Sequence, residues 1–249
     1  YATAVEEATK MINTLHQEAE STRRICLIEL FGAESGFVAA NAALASGHVD
    51  LVLIPEVFRR LIEGSKDTNI EYQTNACSLY LQECIDHIQR KLNDRTDDPH
   101  VVVVVAEGVS KILKQENILV PGFNLEQGKE FPTICDQLKD CLYKVCTNKA
   151  GEAIDVFINQ PRHNIRAVPA NARDQMYCER LGAMVVDSAL AGYTDFMVSQ
   201  WMTEFVLVPL DMATLGQKSI QLNGVFWKQV INITGQPTHE HFKLPKTGN

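Results

Sequence analysis

The sequence predicts an α/β protein built on a parallel sheet, and three observations carry the prediction. Residues 24–56 read as strand, glycine turn, helix and strand: an apolar run at 25–30, Gly32, an alanine-rich stretch at 35–46 with helical spacing, and a second apolar run at 51–54 closed by Pro55. Residues 101–106 are five Val and one Ala, the unbroken apolar run of a strand buried on both faces. Further short apolar runs then alternate with helical patterns. Two parallel strands joined by a helix form a right-handed crossover, and ligands bind beyond the carboxyl ends of such strands. Phe31, Gly32, Ala33 and Glu56 are therefore expected at a binding edge.

Taken in order, the chain opens inside an amphipathic helix, with Ala4, Ala8, Met11, Ile12 and Leu15 on one face. No cap residue precedes it, so the pattern reads as a chain entering in mid-fold. The polar stretch 57–69, with Gly64, reads as loop with a helical turn. Residues 77–92 form an amphipathic helix with Leu79, Leu81, Ile85 and Ile88 apolar, followed by a turn at 93–99. Glu107-Gly108 ends the valine strand, and 112–129, with Pro121-Gly122, reads as loop. A helix is expected at 133–145 after Pro132, a short strand at 153–158, and a long helix at 173–190 ended by Gly192. Residues 196–199 and 205–209 make a pair of short strands, and beyond Lys228 a tail with turn residues is expected. There is no internal repeat and no low-complexity linker.

Of the 249 residues, 45% are hydrophobic and 22% charged, enough apolar content for a core of ordinary size in one or two domains. The net charge of −8 argues against a nucleic-acid partner. It leaves a phosphorylated small molecule open, since a few local Arg and His side chains hold one phosphate. Seven cysteines, an odd number, lack metal spacing, and the gaps among Cys135, Cys141 and Cys146 are too wide for a knuckle. Free thiols in a reducing, cytoplasmic setting are expected. No apolar run approaches membrane-spanning length and no signal peptide opens the chain. Asn232-Ile233-Thr234 is a glycosylation sequon without use in that setting.

Glu107 is the first candidate for chemistry. A carboxylate directly after a buried strand lies at the ligand edge, where it accepts hydrogen bonds from hydroxyls, caps the next helix or pairs with a Lys. His163 and Arg166, three apart, fit one side of a turn, and the Arg fork suits phosphate. Arg24 stands before the first strand, at the end opposite its ligand edge, and alone reads as a solvated side chain. Glu29 reads as buried and paired. His239-Glu240-His241 reads as a solvated tail rather than a metal site, and residues 216–224 lack phosphate-loop spacing.

Several of these segments resemble the phosphofructokinase family. Members carry a strand ending in Met-Gly-Arg, then Ser-Gly-Phe, an Ala-rich helix and Ile-Pro-Glu. Here the frame is Phe31-Gly32-Ala33, Ser35-Gly36-Phe37 and Ile54-Pro55-Glu56. Ala106-Glu107-Gly108 matches the family's Ala-Glu-Gly. Residues 160–169, from Gln160 through Ile165-Arg166-Ala167-Val168-Pro169, keep the tail of the plant and trypanosomatid branch and the bacterial His at His163. Thr234-Gly235-Gln236-Pro237 is also similar to the plant-like branch. Tyr1-Ala2-Thr3-Ala4-Val5-Glu6-Glu7-Ala8 meets the family's Thr-Ala-Val-Glu-Glu-Ala partway.

The resemblance implies a three-layer, Rossmann-like fold incomplete at its amino terminus. Residues 1–160 would be the sugar-phosphate-binding domain, and 161–249 a segment returning to the nucleotide domain. It implies an allosteric, oligomeric 6-phosphofructokinase using ATP and Mg2+. Glu107, His163 and Arg166 would hold fructose 6-phosphate, Gly32 would allow close backbone approach, and Arg24 would reach a neighbouring subunit's substrate. The family's Gly-Gly-Asp-Gly and Thr-Ile-Asp-Asn-Asp segments, which carry the nucleotide loop and the base, do not occur in this sequence. No residue is assigned to nucleotide or metal, and the isolated chain is expected to be inactive. Ala33 replaces the family's Arg and Phe31 its Met, which keeps open a non-catalytic paralogue or regulatory subunit binding a phosphate-bearing effector.

Overall fold

A computed structural model describes residues 1–32, 34–64, 70–126, 128–148 and 150–242. In chain order the elements are α1 (Ala2–Thr22), β1 (Ile25–Leu30), α2 (Phe37–Ser46), β2 (Leu51–Leu53), α3 (Pro55–Gly64), α4 (Ile70–Asp94), β3 (Val101–Ala106), α5 (Gly108–Gln115), α6 (Ile134–Val145), β4 (Val156–Asn159), α7 (Arg162–Arg166), α8 (Ala172–Leu190), β5 (Phe196–Trp201), β6 (Glu204–Pro209), α9 (Leu210–Ala213) and α10 (Val225–Thr234). A 3-10 turn, His239–Phe242, follows.

β2, β3, β1 and β4 form, in that order, a parallel sheet. Every residue of β1, β2 and β3 is buried, as strands with unbroken apolar runs require when helices cover both faces. α1 and α2 pack together over β1 and β3, with α10 against α2; α4 packs on β3, α6 on β1 and β4, and α5 lies against α3 and α6. α1 buries Ala8, Ile12, Leu15 and Ala19, spaced four, three and four apart on a single stripe. α6 starts with a capping box: the Asp136 N–H donates to Thr133 Oγ1, and the Asp136 carboxylate accepts the Thr133 N–H.

β2 lies at the sheet edge, and a side chain completes its ladder. The Val52 N–H donates to Gln236 Oε1 at 2.7 Å, and Gln236 Nε2 donates to the Val52 carbonyl at 3.0 Å. The segment after α10 is thereby pinned to the sheet.

Several expected loops are helices. Residues 55–64 form α3, whose apolar stripe Val57, Phe58, Leu61 and Ile62 is buried beneath an outer face of Arg60 and Glu63. Residues 108–115 form α5, burying Val109, Ile112 and Leu113 at helical spacing. The expected tail contains most of α10, held by buried Trp227 and Val230. Leu79 is 58% exposed rather than in the stripe of α4, whereas Leu81, Ile85 and Ile88 are buried. His239 is buried, not solvated. The expected loop at 65–69 and the tail beyond Phe242 lie outside the described residues.

The strand pair forms the antiparallel hairpin β5–β6. It and α8 are sparsely covered: in α8 only Ser188 is buried, while Leu190, Trp201 and Met202 are 83%, 72% and 86% exposed. All seven cysteines are free, and only Cys178 is exposed. Among the described residues no helix is long and apolar enough to cross a membrane.

Candidate active site

The carboxyl ends of β1, β3 and β4 bring Phe31-Gly32, Glu107 and Gln160-Pro161 to one edge. β1 sets the edge first. At its end Gly32 has φ 153°, in the region that favours glycine, and a Cβ there would stand 2.7 Å from the Ser35 carbonyl oxygen. The turn therefore requires Gly32 for its own geometry. Ala33 lies outside the described residues.

Glu107 follows β3 directly, and its N–H donates to the Leu30 carbonyl at 2.9 Å, which fixes it beside the end of β1. It occupies the N-cap position of α5 but makes no side-chain capping bond. Its nearest cation is Arg166, whose Nη2 lies 3.6 Å from Glu107 Oε2. That oxygen is buried and has no hydrogen-bond partner. A buried carboxylate oxygen next to a guanidinium, but beyond hydrogen-bond reach of it, is an acceptor in want of a donor.

Arg166 closes α7, which β4 delivers to the same edge through Pro161. Its guanidinium lies over the Phe31 ring, 4.9 Å from the centroid. Phe31 thus supports the arginine from below. His163 is exposed on the same short helix, and its side chain meets no hydrogen-bond partner among the described residues. Arg24 sits at the amino end of β1, about 20 Å of strand away from the edge. Its nearest carboxylate is Glu18, at 3.6 Å. Of the five predicted site residues, the structure brings Glu107, Arg166 and Gly32 to one edge. It leaves His163 facing solvent and Arg24 at the far end.

Behind Glu107, Glu29 is 4% exposed and accepts a hydrogen bond from Gln160 Nε2. Burial pushes its carboxyl above the usual range; Arg162 opposes this and Glu107 adds to it. Glu56 is also near the edge, but its carboxylate is turned inward. It accepts the Gly36 N–H at 3.0 and 3.1 Å and the Ile220 N–H at 3.2 Å. A Cβ on Gly36 would meet Ile54 Cγ2 at 2.2 Å. Glu56 therefore latches the turn before α2, through Gly36, and the segment before α10, through Ile220, to the first turn of α3.

A cavity of about 1190 Å3 opens from this edge between α1, α8 and the hairpin, lined in part by Phe31, Arg166, Arg173 and Arg180. Arg173 and Arg180 were missed in the sequence, although their separation of two helical turns on α8 puts them on one face. The cavity sets Arg166, Arg173 and Arg180 against the carboxylates of Glu6 and Asp174 and has aromatic walls, with Arg180 over the Phe205 ring at 4.5 Å. Such a surface suits a phosphorylated, hydroxyl-bearing ligand.

A parallel α/β sheet of this kind binds its ligands beyond the carboxyl ends of the strands, the edge where Glu107 and Arg166 meet. The phosphofructokinase family model matches residues 1–189. The chain belongs to the phosphofructokinase family. It is 31% identical over 252 residues to an ATP-dependent 6-phosphofructokinase of Borreliella burgdorferi, covering 95% of this chain and 49% of the relative. It is 28% identical over 244 residues to the chloroplastic ATP-dependent 6-phosphofructokinase 4 of Arabidopsis thaliana, covering 96% and 42%. Among solved structures, a pyrophosphate-dependent phosphofructokinase from Nitrosospira multiformis superposes with a TM-score of 0.58 at 15% identity, covering 94% of this chain and 55% of that one. The Pichia pastoris phosphofructokinase in the T-state gives 0.56 at 19%, covering 96% and 22%. These structural likenesses show the fold. The chain spans about half the length of the curated relatives it matches.

Proposed function

We propose that this chain carries the fructose 6-phosphate site of a 6-phosphofructokinase that moves a phosphoryl group from ATP to the sugar 1-hydroxyl. The observation that carries the reading is the Glu107–Arg166 pair with its unsatisfied carboxylate oxygen. Glu107 Oε2 accepts a sugar hydroxyl, and Arg166, supported on Phe31, swings its fork to the 6-phosphate. His163 adds a donor from the same turn, and Gly32 lets the sugar lie against the backbone. Arg24, at the opposite end, serves the substrate of a neighbouring subunit in a homo-oligomer. The exposed apolar side chains of α8 and the hairpin support a reading of residues 161–249 as a segment that packs on a companion nucleotide domain.

Mg2+, when bound with ATP, neutralises charge on the phosphates during transfer. Among the described residues no group of three or more His, Cys, Asp or Glu is placed to hold a metal ion, so no residue is assigned to it. Ala33, standing where the family has Arg, favours a second reading: a non-catalytic paralogue that binds a phosphate-bearing effector.

Calorimetric titration with fructose 6-phosphate tests the site. Arg166→Ala should weaken binding by about 1.5–3 kcal/mol, roughly 10- to 150-fold. Arg166→Lys should recover part of it, because an ammonium cannot make the planar fork. Arg59→Ala, on α3 in a separate cavity, is the control. Equal affinity of wild type and Arg166→Ala would remove the sugar assignment and leave the effector reading.

A further inference from the structure

The amino edge of the sheet, opposite the candidate site, gathers three imidazoles from three segments. His16 projects from α1, His48 from the α2–β2 connection, and His100 stands immediately before β3. The His16 and His48 rings stack with centroids 4.3 Å apart and planes 9° from parallel. His16 and His100 have centroids 5.2 Å apart and planes tilted by 54°. The stack runs inward from solvent: His48 is exposed, His16 half-buried and His100 buried.

Local bonds hold the rings in place. Ser46 Oγ donates to Asn13 Oδ1 at 2.7 Å, and the His48 N–H donates to Ser46 Oγ at 3.4 Å, fixing the α2–β2 connection against α1. His100 Nδ1 lies 2.7 Å from the Asp98 carbonyl. His16 Nδ1 and His100 Nε2 are buried and have no hydrogen-bond partner.

The charges around the stack decide how it meets a proton. Arg95, beyond α4, forks onto Asp50 at 2.8 and 2.9 Å and also donates to the His100 carbonyl. Asp50 is further engaged by the Val102 N–H at 3.0 Å. Asp98 pairs with Arg23, and Glu18 with Arg24. Exposed Glu20 on α1 is the carboxylate that favours charge on His16; His48, His100 and Arg95 all oppose it. Neutral imidazoles stack without cost, whereas two imidazolium rings at this separation in a half-buried setting repel.

We propose that the His16–His48–His100 stack is a proton-operated clasp: neutral, it ties α1, the α2–β2 connection and the start of β3 together, and protonated, it loosens them. Burial, and then the neighbouring His48 and His100, hold the His16 imidazole below its usual value of 6.5. A base lowered in the fold is favoured neutral there. Its stabilisation is present above about pH 6.5 and is lost as the pH falls below that. His87, buried on α4 with Nε2 2.9 Å from the Asp50 carbonyl, is displaced the same way by its burial. A comparison with a variant of the stack cancels that shared contribution.

The test is urea unfolding of the 249-residue chain and of His16→Phe between pH 7.5 and 5.5, with the imidazole Cε1–H resonances followed by NMR. Phe keeps a flat ring between its neighbours and takes no proton. The unfolding constant of wild type relative to the variant should rise about threefold or more on acidification. The His16 imidazole should titrate below its usual value of 6.5. Parallel pH profiles overturn the proposal. Where His16→Phe does not fold, the wild-type titration decides, and an ordinary His16 titration overturns the proposal.

Discussion

Replacing Glu56 by Ala removes the acceptor that serves two backbone donors inside the fold, the N–H groups of Gly36 and Ile220. Glu56 is 5% exposed, at the wall of the cavity that Arg59 and Ile220 also line, so water reaching the vacated site sets the lower end of the cost. Each buried donor left unpaired costs about 1–3 kcal/mol, so the pair costs about 2–6 kcal/mol. Against a total stability of about 5–15 kcal/mol, that is a large share. Glu56→Gln keeps one acceptor oxygen but turns an amide donor toward the other bond. Its cost should lie between wild type and Ala, at about 1–3 kcal/mol. Urea unfolding followed by far-ultraviolet circular dichroism gives the midpoints, expected in the order wild type, Gln, Ala. An Ala variant within about 0.5 kcal/mol of wild type refutes the latch, since that is the size of an ordinary surface substitution. A carboxylate whose task is ligand binding would behave the other way, losing affinity while leaving the midpoint in place.

Two further outcomes follow from buried positions around the same edge. Gly36→Ala drives a Cβ to 2.2 Å from Ile54 Cγ2, and should lower the urea midpoint by an amount equivalent to about 1–3 kcal/mol or more; an unchanged midpoint contradicts the packing described. Burial holds the Glu29 carboxyl above its usual value of 4.5, so its contribution to stability is present below about pH 4.5 and lost as the pH rises through the raised value. Glu29→Gln should therefore be more stable than wild type at pH 7.5 and lose that advantage near pH 4, and equal midpoints across the range would count against the buried charge.

The sheet was legible in the sequence because unbroken apolar runs such as Val101–Ala106 admit few other readings. α6 was legible for a local reason as well, its start marked by Pro132, and the structure adds that Thr133 caps it. α3 was missed because Arg59, Arg60 and Glu63 dominate a short segment, although Val57, Phe58, Leu61 and Ile62 keep helical spacing. α5 was hidden by the glycine that opens it, and α10 by the turn residues that follow it. At the site, the nearness of Glu107 and Arg166 was expected from family resemblance, since 59 positions of chain separate them. The inward turn of Glu56 was not legible, because its partner Ile220 lies 164 residues away and offers only a backbone N–H. Resemblance carried Arg24 toward a phosphate, but nothing local to it says where a second subunit would stand.

The amide of Gln236 has a consequence for how this chain meets copies of itself. An edge strand with free N–H and C=O groups is a template on which another chain can add a strand. β2 is only three residues long, and the middle one, Val52, has both backbone groups occupied by a single side-chain amide. An incoming strand would have to displace Gln236 before it could extend the sheet on that side. One glutamine thus does the work of a neighbouring strand and protects a sheet rich in valine against uncontrolled growth.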